Sequence, residues 1–325
     1  MGPRYTTLSP SDVEQWSALT NLLARVDGTD EFYGPEDLAE ELNEPGFDAS
    51  QDSVAAWAGR ELIGYGQLRV GDRLAGGRAK ATIGGGVRPD HRGRGVGRRI
   101  MDLLEPRAVA LAVERHPGAP LSLDLWVGPE GSSAGRLAVA RGYAPARYFT
   151  DMRVELERGG TGLEDTARAV AGPPIHEFKP ELSEAVRRAH NEAFADHWGS
   201  APRSQEKWED QMASRSFRPA LSKVVLSDDP SLEPVERVDA YALCNEWVPG
   251  ELYVSLVGTR RRARRHGLAA LLLGAVVRSA AGSGYRVIDL TVDSESPTGA
   301  GRIYERVGFV PVRTSTVYER LVAGA

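Results

Sequence analysis

Hydrophobic and polar positions along the chain alternate between a helical and a strand-like period, and this order of periods occurs twice. In each half, two amphipathic helices precede three strand-like runs, and a longer helix, a strand, a short helix and a closing strand follow. The first half comprises a helix after residue 12, a helix over 35–42, strands over 53–58, 62–70 and 80–87, a helix over 98–116, a strand over 121–127, a short helix before 142 and a strand over 148–156. The second half comprises helices over 181–195 and 204–214, strands over 221–227, 238–246 and 251–258, a helix over 268–281, a strand over 286–292, a helix over 300–306 and a strand over 314–321. Pro106 lies inside a predicted helix and should kink or divide it.

Two pairs of landmarks support a tandem repeat. Gly95 and Gly267, each in an arginine-rich turn, are 172 residues apart, and Gly142 and Gly308, each followed by an aromatic residue, are 166 apart. Chance similarity of two arginine-rich loops is the alternative, but it does not account for a second landmark at nearly the same offset. The Gly- and Pro-containing stretch 158–173 is predicted to be a linker, with a short helix over 163–171. We therefore predict one domain over 1–157 and another over 174–325.

Composition excludes several classes of protein. The 325 residues are 41% hydrophobic and 26% charged, with a net charge of −5, so a general nucleic-acid or membrane-surface role is not indicated. The single cysteine, Cys244, excludes an internal disulfide and a cysteine-based zinc site, and the six histidines show no metal-ligand spacing. The sequence contains neither an apolar run of membrane-spanning length nor an N-terminal signal-like segment. We expect a cytoplasmic protein with no metal.

The two arginine-rich turns are candidate phosphate sites. Residues 92–97 read R-G-R-G-V-G and residues 264–269 read R-R-H-G-L-A, and each turn connects a predicted strand to a predicted helix. Backbone N–H groups at such a turn and helix start can bind a pyrophosphate. Neither copy has the lysine and hydroxyl of a P-loop, and the dinucleotide fingerprint lacks its early β-α-β context.

The repeated unit resembles the GNAT-type N-acetyltransferase superfamily. Residues 87–97 (V-R-P-D-H-R-G-R-G-V-G) match its acetyl-CoA motif, and 296–300 (S-P-T-G-A) with 304–309 (Y-E-R-V-G-F) resemble its later N-P-T-G-A…Y-E-x-x-G-F motif. The resemblance covers nearly the whole chain, once per half, and its tandem type is similar to mycothiol synthase-like acetyltransferases. It implies an α/β (α+β) fold of two tandem domains, each a mixed, mostly antiparallel twisted sheet flanked by helices.

The same resemblance implies that acetyl-CoA is the cofactor. The residues predicted to bind it are Val87, Arg92, Gly93, Arg94, Gly95, Val96 and Gly97 in the first half, and Leu256, Val257, Gly258, Thr259, Arg264, Arg265, His266, Gly267, Leu268, Ala269 and Ser296 in the second. Ser296 replaces the family's asparagine, which puts one cofactor hydrogen bond in doubt. The arginines of the run 260–265 are expected to form a basic rim for the phosphates, with nucleic-acid binding as the alternative.

Catalysis is predicted to lie in the second half. An acceptor amine with a pKa of about 10.4 must lose a proton, at a cost of roughly 4–5 kcal/mol at pH 7, so a base is useful. The resemblance implies a tyrosine as proton donor four residues before the Gly-aromatic pair, where the second half has Tyr304 and the first has Ala138. Glu251 is the preferred base and Glu246 the next candidate. Leu256 or Val257 is expected to offer a backbone N–H to the thioester carbonyl.

The acceptor is expected to be the amine of a small molecule, such as a metabolite or an antibiotic-like compound. Asp196, His197 and Trp198, at the end of a helix that usually lines the acceptor pocket, are candidate substrate-binding residues together with Glu246; a packed helix end is the alternative. Mycothiol synthase-type acetylation of a cysteinyl amine and a non-enzymatic CoA-binding or scaffold role stay open. No nucleic-acid or membrane partner is expected, and the chain is expected to be a monomer or a homodimer.

Overall fold

The computed structural model describes residues 2–156, 172–295 and 299–322. The predicted short helix over 163–171, Ser296 and all but the last two residues of the predicted linker lie outside the described residues. The chain forms two compact units, one of Met1–Tyr148 with Thr314–Ala325 and the other of Phe149–Arg313.

The first unit is a mixed sheet with helices on both faces. Its strands are β1 (Arg4–Thr6), β2 (Ser53–Ala58), β3 (Glu61–Val70), β4 (Ala79–Val87) and β5 (Leu121–Val127), and its helices are α1 (Val13–Asp27), α2 (Pro35–Leu42), α3 (Ala49–Asp52), α4 (Val96–Arg115) and α5 (Ser133–Ala140). Neighbouring strands from β1 to β4 are antiparallel, and β4 is parallel to β5. One core contains Ile100, Leu104 and Leu111 of α4, and a second contains Trp16 and Leu19 of α1.

The second unit repeats this arrangement. Its elements are β6 (Ala144–Glu155, which begins in the first unit), β7 (Ile175–Glu177), α6 (Ser183–Ala193), α7 (Gln205–Ala213), β8 (Lys223–Leu226), β9 (Val238–Val248), β10 (Glu251–Thr259), α8 (Leu268–Gly282), β11 (Val287–Asp293), α9 (Ala300–Arg306) and β12 (Val310–Val322, which ends in the first unit). Strands β7 to β10 are antiparallel neighbours, and β10 is parallel to β11. Helix α8 packs on one face with Leu252 and Val254, while α6 packs on the other with Tyr241 and Leu243.

Each unit is completed by the closing strand of the other half of the sequence. In β12, Thr316–Val322 pairs antiparallel with β5 of the first unit, whereas Phe149–Glu155 of β6 pairs antiparallel with β11 of the second. The division predicted at 157 and 174 would leave each closing strand in its own half. Both strands have similar alternation, so the sequence pattern does not say which sheet edge each of them joins.

Most predicted elements are present, and the predicted fold class is confirmed. The main difference in the first half concerns Pro106, since α4 runs undivided from Val96 to Arg115. The three-residue edge strands β1 and β7 were not predicted, because such short runs carry too little periodicity. Among the described residues, no helix is both long and apolar enough to cross a membrane.

Candidate active site

The two arginine-rich turns adopt the same backbone conformation. Arg92 and Arg264 both have φ −67° and ψ 155°, and the next residues, Gly93 and Arg265, have φ values of 71° and 69°. Glycine adopts this left-handed region readily, whereas an L side chain is strained there. The second turn therefore keeps the shape of the first in spite of an unfavourable residue.

Replacing Arg265 with glycine is expected to stabilise the second unit by about 1 kcal/mol, because it removes left-handed strain at φ 69°. Urea denaturation followed by hydrogen exchange in α8 would measure the change. Gly93→Ala places a side chain at the equivalent φ of 71° and should destabilise the first unit by a similar amount. A destabilised Arg265→Gly variant would mean that the arginine side chain makes a contribution larger than its backbone strain.

Each turn presents a row of free backbone donors. Gly95 and Gly267 are the left-handed N-caps of α4 and α8, and the first hydrogen bonds inside these helices come from residues 99 and 271. Within the described part of the chain, the N–H groups of 93–98 and 265–270 have no hydrogen-bond acceptor. A Cβ built on Gly95 or Gly267 would meet no atom within 4 Å. Both turns therefore offer open, convergent donors of the kind that bind a pyrophosphate.

The first arginine of each turn is occupied by protein groups. Arg92 donates to Val87 O at 2.9 Å and forms two hydrogen bonds to Asp27, at 2.8 and 2.7 Å. Arg264 donates to Ala193 O at 2.9 Å. Asp27 is the last residue of α1 and Ala193 the last of α6, so both arginines tie the end of a helix to the turn.

The arginine run before the second turn is largely neutralised. Arg260 is 3% exposed and contacts Glu192 at 2.6 Å and Glu236 at 2.8 Å. Further pairs of this run are Arg261 with Asp196 at 2.7 Å and Arg262 with Asp239 at 2.8 Å. The side chain of Arg265 is exposed and makes no ion pair or hydrogen bond with the described residues. His266 is exposed, with Nδ1 3.3 Å from Ala263 O.

Strands β10 and β11 diverge just before the second turn. They pair in parallel only from Glu251 with Val287 to Tyr253 with Asp289, whereas β10 continues to pair with β9 as far as Thr259. The open edge of β10 therefore includes Leu256, Val257, Gly258 and Thr259, the residues expected beside the thioester. A backbone N–H on this edge can stabilise an oxygen that gains negative charge.

A β-bulge distinguishes this strand from its counterpart. The register of β10 on β9 shifts between Val254 and Leu256, which leaves Ser255 as the extra residue. Ser255 Oγ donates to Asn245 Oδ1 at 2.7 Å, and Asn245 Nδ2 donates to Ser216 Oγ at 3.0 Å. In the first unit, β4 pairs with β3 without a register shift. Among the described residues, the strand before the turn therefore has a bulge in the second unit but not in the first.

Gly258 is required by the side chain beneath it. Its Cβ, if present, would lie 2.3 Å from Tyr241 Oη, and Tyr241 is fully buried and within 2.7 Å of His190 Nδ1. We expect Gly258→Ala to destabilise the second unit by about 1–3 kcal/mol through overpacking. Gly282→Ala, where a Cβ meets nothing within 4 Å, is the control in thermal denaturation. Equal melting temperatures for both variants would contradict the prediction.

Tyr304 lies on the α8 side of the sheet, in the core that also contains Val292 and Leu252. Its side chain is 9% exposed, and burial raises the pKa of its hydroxyl to about 12, so the hydroxyl is protonated at neutral pH. Within the described residues, this hydroxyl has no hydrogen-bond partner. Phe309 N donates to Tyr304 O at 3.1 Å, as Tyr143 N does to Ala138 O at 3.1 Å in the first unit. Ala138 thus occupies the matching position without a proton donor.

Glu251 lies on the opposite face of the sheet from Tyr304. Leu252 and Val254 point into the α8 core, so Glu251 and Tyr253 alternate onto the other face, where Tyr253 Oη donates to Thr291 Oγ1 at 2.9 Å. Glu251 is the first residue of β10, about 15 Å along the strand from Leu256. Its carboxylate is half-buried and 3.8 Å from Arg286. Glu251 is therefore too far to take a proton directly from an amine beside Leu256, and such a transfer would need a path through water.

Glu246, the second candidate base, is fully engaged. It accepts from Arg218 Nε at 2.7 Å, Tyr285 Oη at 2.6 Å and Gly250 N at 2.9 Å. Burial would raise the pKa of its carboxyl, but these hydrogen bonds outweigh burial and lower it. Glu246 therefore holds the β9–β10 hairpin and is poorly suited to accept a proton.

The predicted acceptor segment lies where expected, at the end of α6, but its residues have different environments. Asp196 is bound by Arg261 and has Arg264 4.0 Å away. His197 is half-buried, with its ring 5.2 Å from that of Phe194, and its Nε2 is 3.9 Å from Asp293 Oδ2. Trp198 is half-buried and contributes its carbonyl, 3.3 Å from His197 Nδ1.

Sequence reasoning missed Asp293, Ser255 and Tyr241. No motif includes them, and only the strand register brings them to the open end of the β10–β11 pair. The alternation of polar residues at 289, 291 and 293 was the one available signal for Asp293. In the described part of the chain, no cluster of three or more His, Cys, Asp or Glu side chains could hold a metal ion.

Comparison with known proteins agrees with this geometry. Mycothiol acetyltransferase of Streptomyces coelicolor is 28% identical over 315 residues, which cover 96% of this chain and 94% of that protein. The mycothiol acetyltransferase of Kineococcus radiotolerans is 31% identical over 266 residues, covering 79% of this chain and 77% of that protein.

Solved structures share the fold. A GCN5-related N-acetyltransferase from Sphaerobacter thermophilus superimposes with a TM-score of 0.76 at 24% identity, covering 98% of this chain and 95% of that chain. A tandem GNAT protein from the clavulanic acid biosynthesis pathway gives 0.68 at 20% identity and 99% coverage of both chains. The family model described as the acetyltransferase (GNAT) family matches residues 16–118 and 183–309, well over half of the chain and one region in each half. With the doubled turn and the diverging strands, this match shows that the protein is an acetyltransferase of the GNAT family.

Proposed function

We propose that the protein transfers an acetyl group from acetyl-CoA to the amine of a small molecule, and that the second unit is the catalyst. The observation that carries this proposal is that the two turns have the same shape but different side chains around them. Strand registers match Glu251 to Ala79 and Ser255 to Ile83, and the equivalent helix ends match Tyr304 to Ala138. The first unit has the phosphate-binding backbone without any of these side chains.

The described residues fit acetyl-CoA in both units. The free N–H groups of 265–270 and 93–98 would hold its pyrophosphate, and Arg265 would add a charge-assisted contact of roughly 1.5–3 kcal/mol. Bound acetyl-CoA would supply a thioester, whose acetyl group is the group transferred. We infer that the first unit binds the cofactor or supports the second unit, without turnover of its own.

In the second unit, residues on the two faces of the sheet have different roles in moving protons and stabilising charge. Tyr304 Oη holds a proton at neutral pH and can release it to a leaving group between β10 and β11. The backbone N–H of Leu256 or Val257, beside the bulge, stabilises negative oxygen. On the other face, Glu251 attracts an ammonium acceptor and removes its first proton through water, so that a neutral amine reaches the strand edge.

An acceptor screen tests the proposed reaction. The full chain would be incubated with acetyl-CoA and a panel of metabolite and aminoglycoside-like amines, with products identified by mass spectrometry. A cysteinyl amine belongs in the panel, because the curated relatives named above are mycothiol acetyltransferases. Mass spectrometry is preferred to a thiol assay, since a cysteinyl acceptor contributes its own thiol. Tight acetyl-CoA binding with no acetylated product from any amine would favour the non-enzymatic alternative.

A matched pair of variants assigns roles to the two turns. Arg265→Glu and Gly93→Glu place a carboxylate at equivalent positions, at φ 69° and 71°. We expect Arg265→Glu to raise the KM for acetyl-CoA about tenfold or more by repelling the phosphates, and Gly93→Glu to leave turnover within about twofold. The reverse pattern would place catalysis in the first unit. Calorimetric stoichiometry with each variant reports whether the first turn binds acetyl-CoA.

A further inference from the structure

The segment Asp196-His197 spans the open end of the diverging strands. Asp196 is held by Arg261, which follows β10, and His197 lies next to Asp293, the last residue of β11. Three helix-end hydrogen bonds fix this segment, from Phe194 N to His190 O, from His197 N to Phe194 O and from Ser200 N to His197 O, at 2.9, 2.9 and 3.1 Å. His197 therefore lies at the opening between β10 and β11, on the same face of the sheet as Glu251. It is much nearer to this opening than Glu251 is.

The hydrogen bonding of His197 determines which of its nitrogens is basic. Nδ1 is 3.3 Å from Trp198 O, and a carbonyl oxygen only accepts, so Nδ1 carries the proton in the neutral ring. Nε2 then has a free lone pair. Asp293 Oδ2 lies 3.9 Å from Nε2, beyond hydrogen-bond length but close enough to stabilise a protonated imidazole. The side chain of His197 is 30% exposed, so an acceptor can reach Nε2, while that of Asp293 is 1% exposed and fixed by Glu295 N at 3.0 Å.

The first unit lacks both members of this pair. Arg92 holds the end of α1 at Asp27 as Arg264 holds the end of α6 at Ala193, and residues 28–34, which follow α1, contain no histidine. The β4–β5 register places Val127 at the position of Asp293. The pair is thus present only in the unit that also has Tyr304.

From this geometry we propose that His197 is a catalytic base, and that the nearby carboxylate of Asp293 stabilises its charged form. The proposal rests on the proposed acetyl transfer. An ammonium acceptor loses two protons in forming an amide. The first leaves by way of Glu251; the second leaves the nitrogen as its bond to the acetyl carbon forms, and His197 Nε2 accepts it. The carbon–sulfur bond breaks, Tyr304 protonates the sulfur, and His197 and Tyr304 then return to their starting states through solvent, with one net proton released.

Other charged and titratable groups near His197 do not compete for this role. His190 of α6 is buried against Tyr241 of β9, and burial, with nearby Arg203, lowers its pKa to about 3, so it stays neutral. Asp196 is compensated by Arg261 of the loop after β10. Asp293 of β11 is the carboxylate that faces Nε2.

The kinetic test uses the full chain and an accepted amine from the screen. We expect His197→Asn, which can keep the donor to Trp198 O but has no basic nitrogen, to lower kcat about 100-fold with the acetyl-CoA KM unchanged. Imidazole added to His197→Ala should restore part of the lost rate. His176→Asn, on the exposed edge strand β7, is the control and should keep kcat within about twofold. A kcat for His197→Asn within twofold of wild type would overturn the proposal while leaving acetyl transfer established.

A second test addresses Asp293. We expect Asp293→Asn to lower kcat about tenfold with the acetyl-CoA KM unchanged, because the charge beside His197 Nε2 is lost. The double variant His197→Asn/Asp293→Asn should be no slower than His197→Asn alone, because Asp293 acts through His197. Additive losses in the double variant, or a kcat for Asp293→Asn within twofold of wild type, would overturn the coupling of the two residues. If wild type acetylates no amine in the panel, the proposed function fails and the catalytic role of His197 fails with it.

Discussion

Tyr304→Phe is expected to lower kcat about 100-fold without changing the affinity for acetyl-CoA. The substitution removes one hydroxyl, whose pKa is raised to about 12 by burial and which therefore carries its proton at neutral pH. The ring itself stays, so the packing against Phe309, with ring centroids 6.4 Å apart, is retained. Steady-state kinetics with an accepted amine, combined with calorimetric titration of acetyl-CoA, would separate the loss of catalysis from loss of binding.

The matched control is Tyr5→Phe, which removes a hydroxyl from β1 of the first unit. It should leave kcat within about twofold. A Tyr304→Phe variant with wild-type kcat would show that the leaving group receives its proton from solvent or from another residue, and the assignment of Tyr304 would then be wrong. A large rise in the acetyl-CoA dissociation constant would instead point to a role in binding.

Glu105→Gln is expected to destabilise the first unit by about 3 kcal/mol. Glu105 of α4 is 7% exposed and accepts from Arg141 Nε at 2.7 Å, from Arg320 Nη2 at 2.7 Å and from Tyr143 Oη at 3.2 Å. Removing its charge leaves two partly buried arginines without their shared partner. Because Arg320 belongs to β12, hydrogen exchange along 316–322 during urea denaturation should detect the loss most directly.

This stabilisation should depend on pH in a defined direction. Burial would raise the pKa of Glu105, but hydrogen bonds from Arg141 and Arg320 outweigh burial and lower it. A carboxyl with a lowered folded-state pKa contributes stability that is complete above its unfolded pKa of about 4.3 and is lost as pH falls through the folded value. The difference between wild type and Glu105→Gln should therefore shrink below about pH 4. Glu114→Gln, at an exposed position of the same helix, is the control; an equal loss of stability there would contradict the prediction.

The parts of the candidate site that depend on backbone conformation were predictable from the sequence. Gly95, Gly267 and Gly308 are turn or helix-end residues whose left-handed φ values only glycine adopts without strain, so their spacing reports the turns directly. The position of Tyr304 follows from the same spacing, because one short helix separates it from Gly308. The free N–H groups of both turns follow as well, since every helix start leaves its first donors unpaired.

Side-chain partners were much less predictable. The run 260–265 suggested a rim of free positive charge, yet Arg260, Arg261 and Arg262 each contact a carboxylate that is distant in sequence. The sequence made Glu251 the preferred base and Glu246 the next candidate, but it did not show the three hydrogen bonds that Glu246 accepts. Such pairs depend on tertiary distances that no local pattern encodes.

By itself, the sequence determined the doubled arrangement of elements, the two arginine-rich turns and the one half that has a tyrosine before its Gly-aromatic pair. These features depend on local periodicity and on backbone conformations that few residues adopt. Tertiary structure alone decided which sheet each closing strand joins, where β10 leaves β11, and that His197 meets Asp293. These features depend on pairing between segments far apart in the chain, where several edges and partners satisfy the same local pattern and only packing selects one.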